Sequence, residues 1–201
     1  MDAAGARALL RVYLGQDETN PDYWTDAYCD TLLDAALPQT ADLLRDIDRS
    51  FFLTTKATTI TSAGVALPTD FVRLETVWLA YQRSKPITQI DASQRETVST
   101  WSAYVMGDTL YIAPALGGTS NIWFDYQQAI AAWPTGLASL PANAHKALVL
   151  QAAIEALGAE ARAIGSGQTF GELLGQATAQ LERTYRKRVR RRERVPVRVV
   201  R

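Results

Sequence analysis

The segment FFLTTKATTITSAGVALP, residues 51–68, decides the fold, because helical patterning stops where it begins. It is rich in Thr, Phe, Ile and Val, contains no acidic residue and has Gly and Pro near its end, as short strands joined by turns do. Three strand patterns follow: an alternating run over residues 71–81, YVMGDTLYIAP with Gly107-Asp108 as a two-residue turn, and NIWFDYQQ from residue 121. We predict that residues 51–130 form an antiparallel β-subdomain.

Helical patterns flank this region on both sides. Asn20-Pro21-Asp22 is typical of a helix start, and we expect Pro38 to end that helix before a second one begins, at about residues 39–50. Apolar residues again recur every three to four positions after Pro141, and a last helix starts at about residue 168. The order predicts an α+β fold: a bundle of about four to five helices with an inserted antiparallel β-subdomain and an extended C-terminal arm.

The chain accordingly divides into four parts in our prediction. Residues 1–50 supply the N-terminal helices of the bundle, and residues 51–130 form the inserted β-subdomain. Residues 140–185 supply the C-terminal helices of the bundle, and residues 186–201 form a basic docking arm.

Positive charge is concentrated at the C-terminus. The chain has 21 Lys and Arg against 21 Asp and Glu, a formal net charge of +0. Residues 183–201 hold ten basic residues and one acid, Glu193, so they carry +9, and the rest, with eleven bases and twenty acids, carries −9. This asymmetry is typical of a segment that binds an anionic partner. The alternative is a solvated, frayed end of a helix.

The basic segment has two different patterns. Cations surround its first half, so an isolated helix should repel itself and fray near Arg190 unless an anionic surface orders it. VPVRVVR, residues 195–201, reads as an extended arm of up to about 23 Å that could add as an edge strand to another protein's sheet. The residues predicted to contact the partner are Arg186, Lys187, Arg188, Arg190, Arg191, Arg192, Arg194, Val195, Val197, Arg198 and Val199.

Residue types needed for most catalytic sites are scarce. His145 is the single histidine and Cys29 the single cysteine, so neither a zinc site nor a histidine-based triad can form within one chain. GSGQTFG, residues 165–171, misses the dinucleotide-binding spacing and follows a helix rather than a strand. Asp42, Asp46 and Asp48 share a polar helix face with Arg45 and Arg49, as on a solvated, salt-bridged surface. We expect no enzymatic activity, no catalytic residues, no metal and no cofactor.

Taken in order, these segments resemble the head-to-tail connector, or adaptor, proteins of phages. The resemblance spans about residues 20–182 and rests on the following stretches: Trp-Thr-Asp at residue 24, LPTDFVRLETVWLAY at 67–81, YVMGDTLYIAP at 104–114, IWFDYQQ at 122–128 and LPANAHKALVLQAAIEAL at 140–157. It implies a ring of twelve copies between the portal protein and a tail-side neck protein, with genomic DNA passing non-specifically through the lumen. In similar proteins the C-terminal segment reaches into the portal and holds the ring there.

The resemblance also implies a location, the head–tail junction of the virion after synthesis in the cytoplasm of a bacterial host. The sequence agrees with a protein that has no membrane contact, because no apolar run approaches the roughly 18 residues of a membrane span. The first residues also lack the basic and apolar pattern of a leader.

A structural role in the virion is therefore the predicted function, with the arginine-rich arm clamping the portal. The alternative is a DNA-binding protein whose arm contacts phosphates, although a −9 remainder would repel DNA. For the ring, the helices after Pro141 present two small or apolar faces. The residues predicted to pack between subunits are Ala147, Leu150, Ala153, Ile154, Ala156, Leu157, Phe170 and Leu174.

Overall fold

Four α-helices and seven β-strands form the part of the chain that the computed structural model describes, residues 1–15, 24–82, 84–115, 117–157 and 169–193. The helices are α1 (Ala3–Leu14), α2 (Asp26–Ile47), α3 (His145–Leu157) and α4 (Phe170–Glu193). The strands are β1 (Leu53–Ile60), β2 (Val65–Ala66), β3 (Phe71–Leu79), β4 (Thr88–Gln89), β5 (Ser102–Met106), β6 (Thr109–Ala113) and β7 (Ser120–Gln128). The predicted α+β class is confirmed. No helix in these ranges has both the length and the apolar character needed to cross a membrane.

The chain forms two compact units. Phe52–Ala129 contains all seven strands and is called the β unit here. The described residues before and after it contain the four helices and are called the helical unit. The strands therefore lie in sequence between α2 and α3.

Helix α2 begins at a polar cap. The side-chain oxygen of Thr25 accepts a hydrogen bond from the backbone N–H of Tyr28 at 3.2 Å, and Asp26 lies in the first turn, where the helix dipole favours an acid. The helix start predicted at Asn20-Pro21-Asp22 lies outside the described residues.

Pro38 does not end this helix, so the prediction of a separate helix over residues 39–50 is wrong. Helix α2 runs unbroken to Ile47 with Pro38 inside it. Proline lacks the N–H that would bond the carbonyl of Asp34, but Pro38 and Asp34 are both exposed, so water can bond that carbonyl instead. The apolar face, which includes Leu33 and Leu37, continues past the proline and remains buried.

Helix α3 is the centre of the helical unit. It contacts α1, α2 and α4, and its residues are apolar on nearly every side, as expected of a helix surrounded by others. Leu148, Val149 and Leu150 are all fully buried. Cys29 is buried in the same unit, where burial raises the pKa of its thiol.

The β unit consists of two small sheets. One has the strand order β1-β7-β3 and the other β2-β6-β5-β4, and neighbouring strands are antiparallel except β4 and β5. The hairpin predicted at Gly107-Asp108 joins β5 to β6, and Gly107 supplies a positive φ of 59°. The core of the unit contains one continuous set of buried residues: Ile60, Leu74, Val77, Leu79, Ile87, Ala103, Leu110, Ile112, Ile122, Phe124 and Tyr126.

Replacing Gly64 should destabilise the β unit more than replacing Gly107. Both residues have positive φ, 80° and 59°, so alanine is strained at either position. A Cβ at Gly64 would also lie 2.6 Å from Thr109 Cγ2 and 2.8 Å from the Leu110 carbonyl oxygen, whereas one at Gly107 meets nothing within 4 Å. We expect Gly64→Ala to cost about 2–4 kcal/mol and Gly107→Ala about 1–2 kcal/mol, measured by urea unfolding. Equal losses would contradict this reading.

Acidification should destabilise the helical unit through His145. The ring is 8% exposed, and neither ring nitrogen has a hydrogen-bond partner among the described residues. Burial, followed by the positive charge of the Met1 amine, holds the pKa of His145 below its usual value, although the nearby carbonyls of Leu137 and Leu140 oppose this.

The direction of the pH dependence follows because the folded state favours the neutral form of His145. Stability should therefore be constant above pH about 6.5, the unfolded pKa, and should fall as the pH drops from there towards the lower folded pKa. Thermal unfolding between pH 5.5 and 7.5 measures this, and His145→Leu should remove the slope. A slope retained in that variant would show that another group is responsible.

Candidate functional site

Helix α4 holds the basic segment, and its start is well defined. Thr169 and Glu172 form a reciprocal cap: the Thr169 N–H donates to Glu172 Oε2 at 2.9 Å, and the Glu172 N–H donates to Thr169 Oγ1 at 3.2 Å. Beyond the cap, Ala177, Leu181 and Tyr185 repeat every four residues and are all buried. This stripe packs the first four turns of α4 onto the helical unit.

Tyr185 is the last buried contact before the basic run. Its hydroxyl donates to Asn143 Oδ1 at 2.8 Å, and its ring meets that of Phe51 edge to face, with centroids 4.7 Å apart. The side chain therefore ties α4 to the turn that follows α2 and to the turn that precedes α3. Because the basic residues follow immediately, this contact sets where they leave the helical unit.

The first half of the predicted arm continues α4 as a helix. The helical backbone reaches Glu193, beyond Arg190, where we expected an isolated helix to fray. A packed helix can propagate further than an isolated one, because its nucleus is already formed and arginine is a good helix former. Six of the basic residues in α4 follow Tyr185: Arg186, Lys187, Arg188, Arg190, Arg191 and Arg192.

The rest of the predicted portal-contacting set cannot be placed. Arg194, Val195, Val197, Arg198 and Val199 lie outside the described residues.

Arginines elsewhere are engaged by acids of the same unit. Arg7 donates through Nε and Nη2 to both carboxylate oxygens of Asp30, at 2.6 and 2.8 Å, and this hydrogen bonding holds the pKa of Asp30 below its usual value. Trp133 Nε1 also donates to Asp30 Oδ1 at 2.6 Å. In the described ranges, five arginines form such ion pairs: Arg7, Arg11, Arg45, Arg73 and Arg95. Each of these ion pairs joins residues of the same unit.

The residues predicted to pack between subunits fall into two groups. Ala147, Leu150 and Ala153 are at most 1% exposed, and α3 places them among helices of the same chain. Phe170 is the first residue of α4. The partly exposed members are Ile154, Ala156, Leu157 and Leu174.

Sequence reasoning missed Asn143 and Phe51, which both contact Tyr185. They are 42 and 134 positions away from it in the chain, and no local pattern links an asparagine in a turn to a tyrosine on a distant helix. The four-residue spacing of Tyr185 from Leu181 could have predicted its burial, but not its hydrogen bond.

Helix α4 thus joins a buried anchor to a cation-rich end, and a dense cationic surface of this kind attracts anionic partners. The family model described as SU10 adaptor protein matches residues 1–199. The chain therefore belongs to the SU10 adaptor protein family, and the resemblance to head-to-tail adaptors is confirmed. It is a structural adaptor of the head–tail connector type.

Two further comparisons complete this result. No curated protein matches the chain. A solved structure titled "Neck of empty GTA particle computed with C6 symmetry" is similar at 17% sequence identity, with a TM-score of 0.28 over 88% of each chain.

Truncating Tyr185 should loosen the basic run as well as destabilise the helical unit. Tyr185→Phe loses only the Asn143 hydrogen bond, at about 0.5–1.5 kcal/mol, whereas Tyr185→Ala also loses the ring packing, about 3–5 kcal/mol in all. Amide hydrogen exchange should rise over residues 186–193 in Tyr185→Ala. Gln180→Ala, an exposed position on the same helix, is the control. Unchanged exchange in Tyr185→Ala would mean that Tyr185 does not anchor the segment.

Proposed function

We propose that this protein is a structural component of a virion, in which twelve copies form a ring that joins the capsid portal to the tail. The observation that carries the proposal is membership of the adaptor family over residues 1–199. In this assignment the ring lies at the head–tail junction, contacts a tail-side neck protein on its other side and lets genomic DNA pass through its lumen.

The basic end of α4 and the residues after it form the portal-binding element in this proposal. Six basic residues follow the Tyr185 anchor within two helical turns, so the partner meets a dense cationic surface whose origin is fixed by the helical unit. The planar fork of arginine suits carboxylates as well as phosphates, which supports an acidic groove of a protein as the target. Twelve such elements in one ring would bind a symmetric portal multivalently.

In the proposed ring, neighbouring copies contact each other through apolar residues of the helical unit that are partly exposed. Ile154, Leu157 and Leu174 are the larger of the partly exposed residues in the predicted subunit-packing set. A ring needs two different surfaces per copy that close by rotation, so these residues would meet a different face of the next copy.

We assign no catalytic role, cofactor or metal to the protein. In the described ranges no group of three or more His, Cys, Asp or Glu residues is placed to hold a metal ion. The assignment itself rests on the adaptor family rather than on this finding.

DNA binding is the second candidate function, and the cationic α4 end favours it. A helix that contacts phosphates would show an affinity falling with salt at a slope near −0.9 per phosphate contacted. The remaining −9 of the chain opposes general DNA binding, because most of the molecule would repel the duplex.

A chain shortened to end at Tyr185 should lose portal binding while its helical and β units stay folded. The cut must follow Tyr185, because removing this buried side chain would damage the helical unit itself. Binding to purified portal rings, measured by cosedimentation or interferometry, should weaken at least about 100-fold, since several charge-assisted contacts are lost together.

Full-length variants separate the effect of losing the arginines from the effect of shortening the chain. Replacing Arg188, Arg190 and Arg191 with Gln should weaken portal binding, and replacing them with Lys should weaken it less, because charge is kept and only the fork is lost. Duplex DNA is tested in parallel across a salt series. Undiminished portal binding by the shortened chain would refute the clamp, and tight, salt-steep DNA binding by the full chain would favour the second function.

A further inference from the structure

One face of the β1-β7-β3 sheet carries a pair of tryptophans. Trp123 on β7 is paired directly with Trp78 on β3, so their side chains are neighbours on one face. Asp125, two residues along β7, lies on the same face, whereas Phe124 and its alternate neighbours belong to the core on the opposite face. Trp78 and Trp123 are half-buried, which leaves part of each indole accessible.

A cavity of about 250 Å³ opens at this point, lined by Thr55, Trp78, Trp123 and Asp125. It exists because small side chains stand beside the two indoles: the partner of Trp123 in β1 is Ala57, and the partner of Asp125 is Thr55. Two aromatic groups therefore form a wall beside one carboxylate.

The carboxylate of Asp125 is oriented by a hydroxyl group and not by a cation in the part of the chain that the structure describes. Thr55 Oγ1 donates a hydrogen bond to Asp125 Oδ1 at 2.6 Å, which orients the group across the strands. Within the described ranges Asp125 forms no ion pair. Lys56, the basic residue of β1, points to the other face, since it neighbours Thr55 in the strand.

A guanidinium group fits these features best. It is flat, so it can lie on an indole face, and it is a cation that donates paired hydrogen bonds to a carboxylate. Lysine would satisfy the charge but would not stack, and a neutral ring would leave the charge of Asp125 unmatched.

We propose that this cavity binds an arginine side chain from the basic segment of a second copy of the chain. Charge complementarity supports that source, because residues 183–201 carry +9 and the remainder, which includes this site, carries −9. The segment has ten basic residues, so one of them engaged by a neighbour leaves the others for the portal. The proposal concerns a site in the β unit and stands or falls independently of portal binding.

The test follows the two tryptophans in the full-length protein by fluorine NMR after incorporation of 5-fluorotryptophan. Trp78→Phe and Trp123→Phe identify the two signals. Both signals should shift as the protein concentration rises from micromolar to millimolar, because contact with a second copy depends on concentration. In dilute protein, N-acetylarginine amide at millimolar concentration should shift the same two signals, and N-acetylcitrulline amide, its neutral analogue, should not.

Asp125→Asn keeps the shape of the site and removes its charge. It should reduce the concentration-dependent shift and raise the dissociation constant for arginine amide about two- to five-fold. Asp108→Asn is the matched control, since it removes an exposed acid from the β5–β6 turn of the same unit. Equal responses to arginine and citrulline amides, or no response to either, would overturn the arginine site. Shifts that need Asp125 but do not depend on concentration would overturn the second copy as the source.

Discussion

The packing of α4 against the rest of the helical unit, ending at Tyr185, is the contact on which the position of the basic segment depends. Up to this residue α4 buries one stripe of side chains, and beyond it the same helix becomes cationic. One continuous helix therefore combines a half that packs into the unit with a half that is rich in basic residues. Because a helix transmits position along its axis at a fixed rise per residue, fixing Tyr185 also fixes where the first basic residues begin. The hydrogen bond to Asn143 and the ring contact with Phe51 make this point more precise than apolar burial alone would.

Much of the fold could be predicted from the sequence, because its local signals agree with one another. The strand composition after Phe51 and the Gly107-Asp108 turn identify the β region, since each needs only neighbouring residues. Pro38 shows where such reasoning fails. A proline predicts a break on average, but its cost depends on whether the carbonyl left without a donor can reach water, and that depends on which face of the folded helix it occupies.

The candidate site also has a part that the sequence predicts and a part that it does not. The concentration of basic residues at the C-terminus can be read directly from the sequence. The contacts of Tyr185 cannot, because they join residues that only the fold brings together. Subunit packing is the clearest example of the ambiguity. Small apolar residues at helical spacing predict close packing, but sequence cannot say whether the neighbour is the same chain or another copy. The structure places Leu150 and Ala153 inside the helical unit, whereas Ile154 is partly exposed.

The separation of charge between the basic segment and the rest of the chain affects how the proposed ring would interact with DNA. A dozen subunits with a −9 remainder each would present a strongly anionic assembly, and DNA moving through its lumen would meet repulsion rather than adhesion. The same assembly cannot leave its basic segments free, since exposed arginines would bind the passing phosphates. Engaging the segments with acidic groups of the portal, and one arginine of each with Asp125 of a neighbour, removes those cations from the path of the DNA. In this scheme the interactions that hold the ring together are also the ones that keep its channel clear.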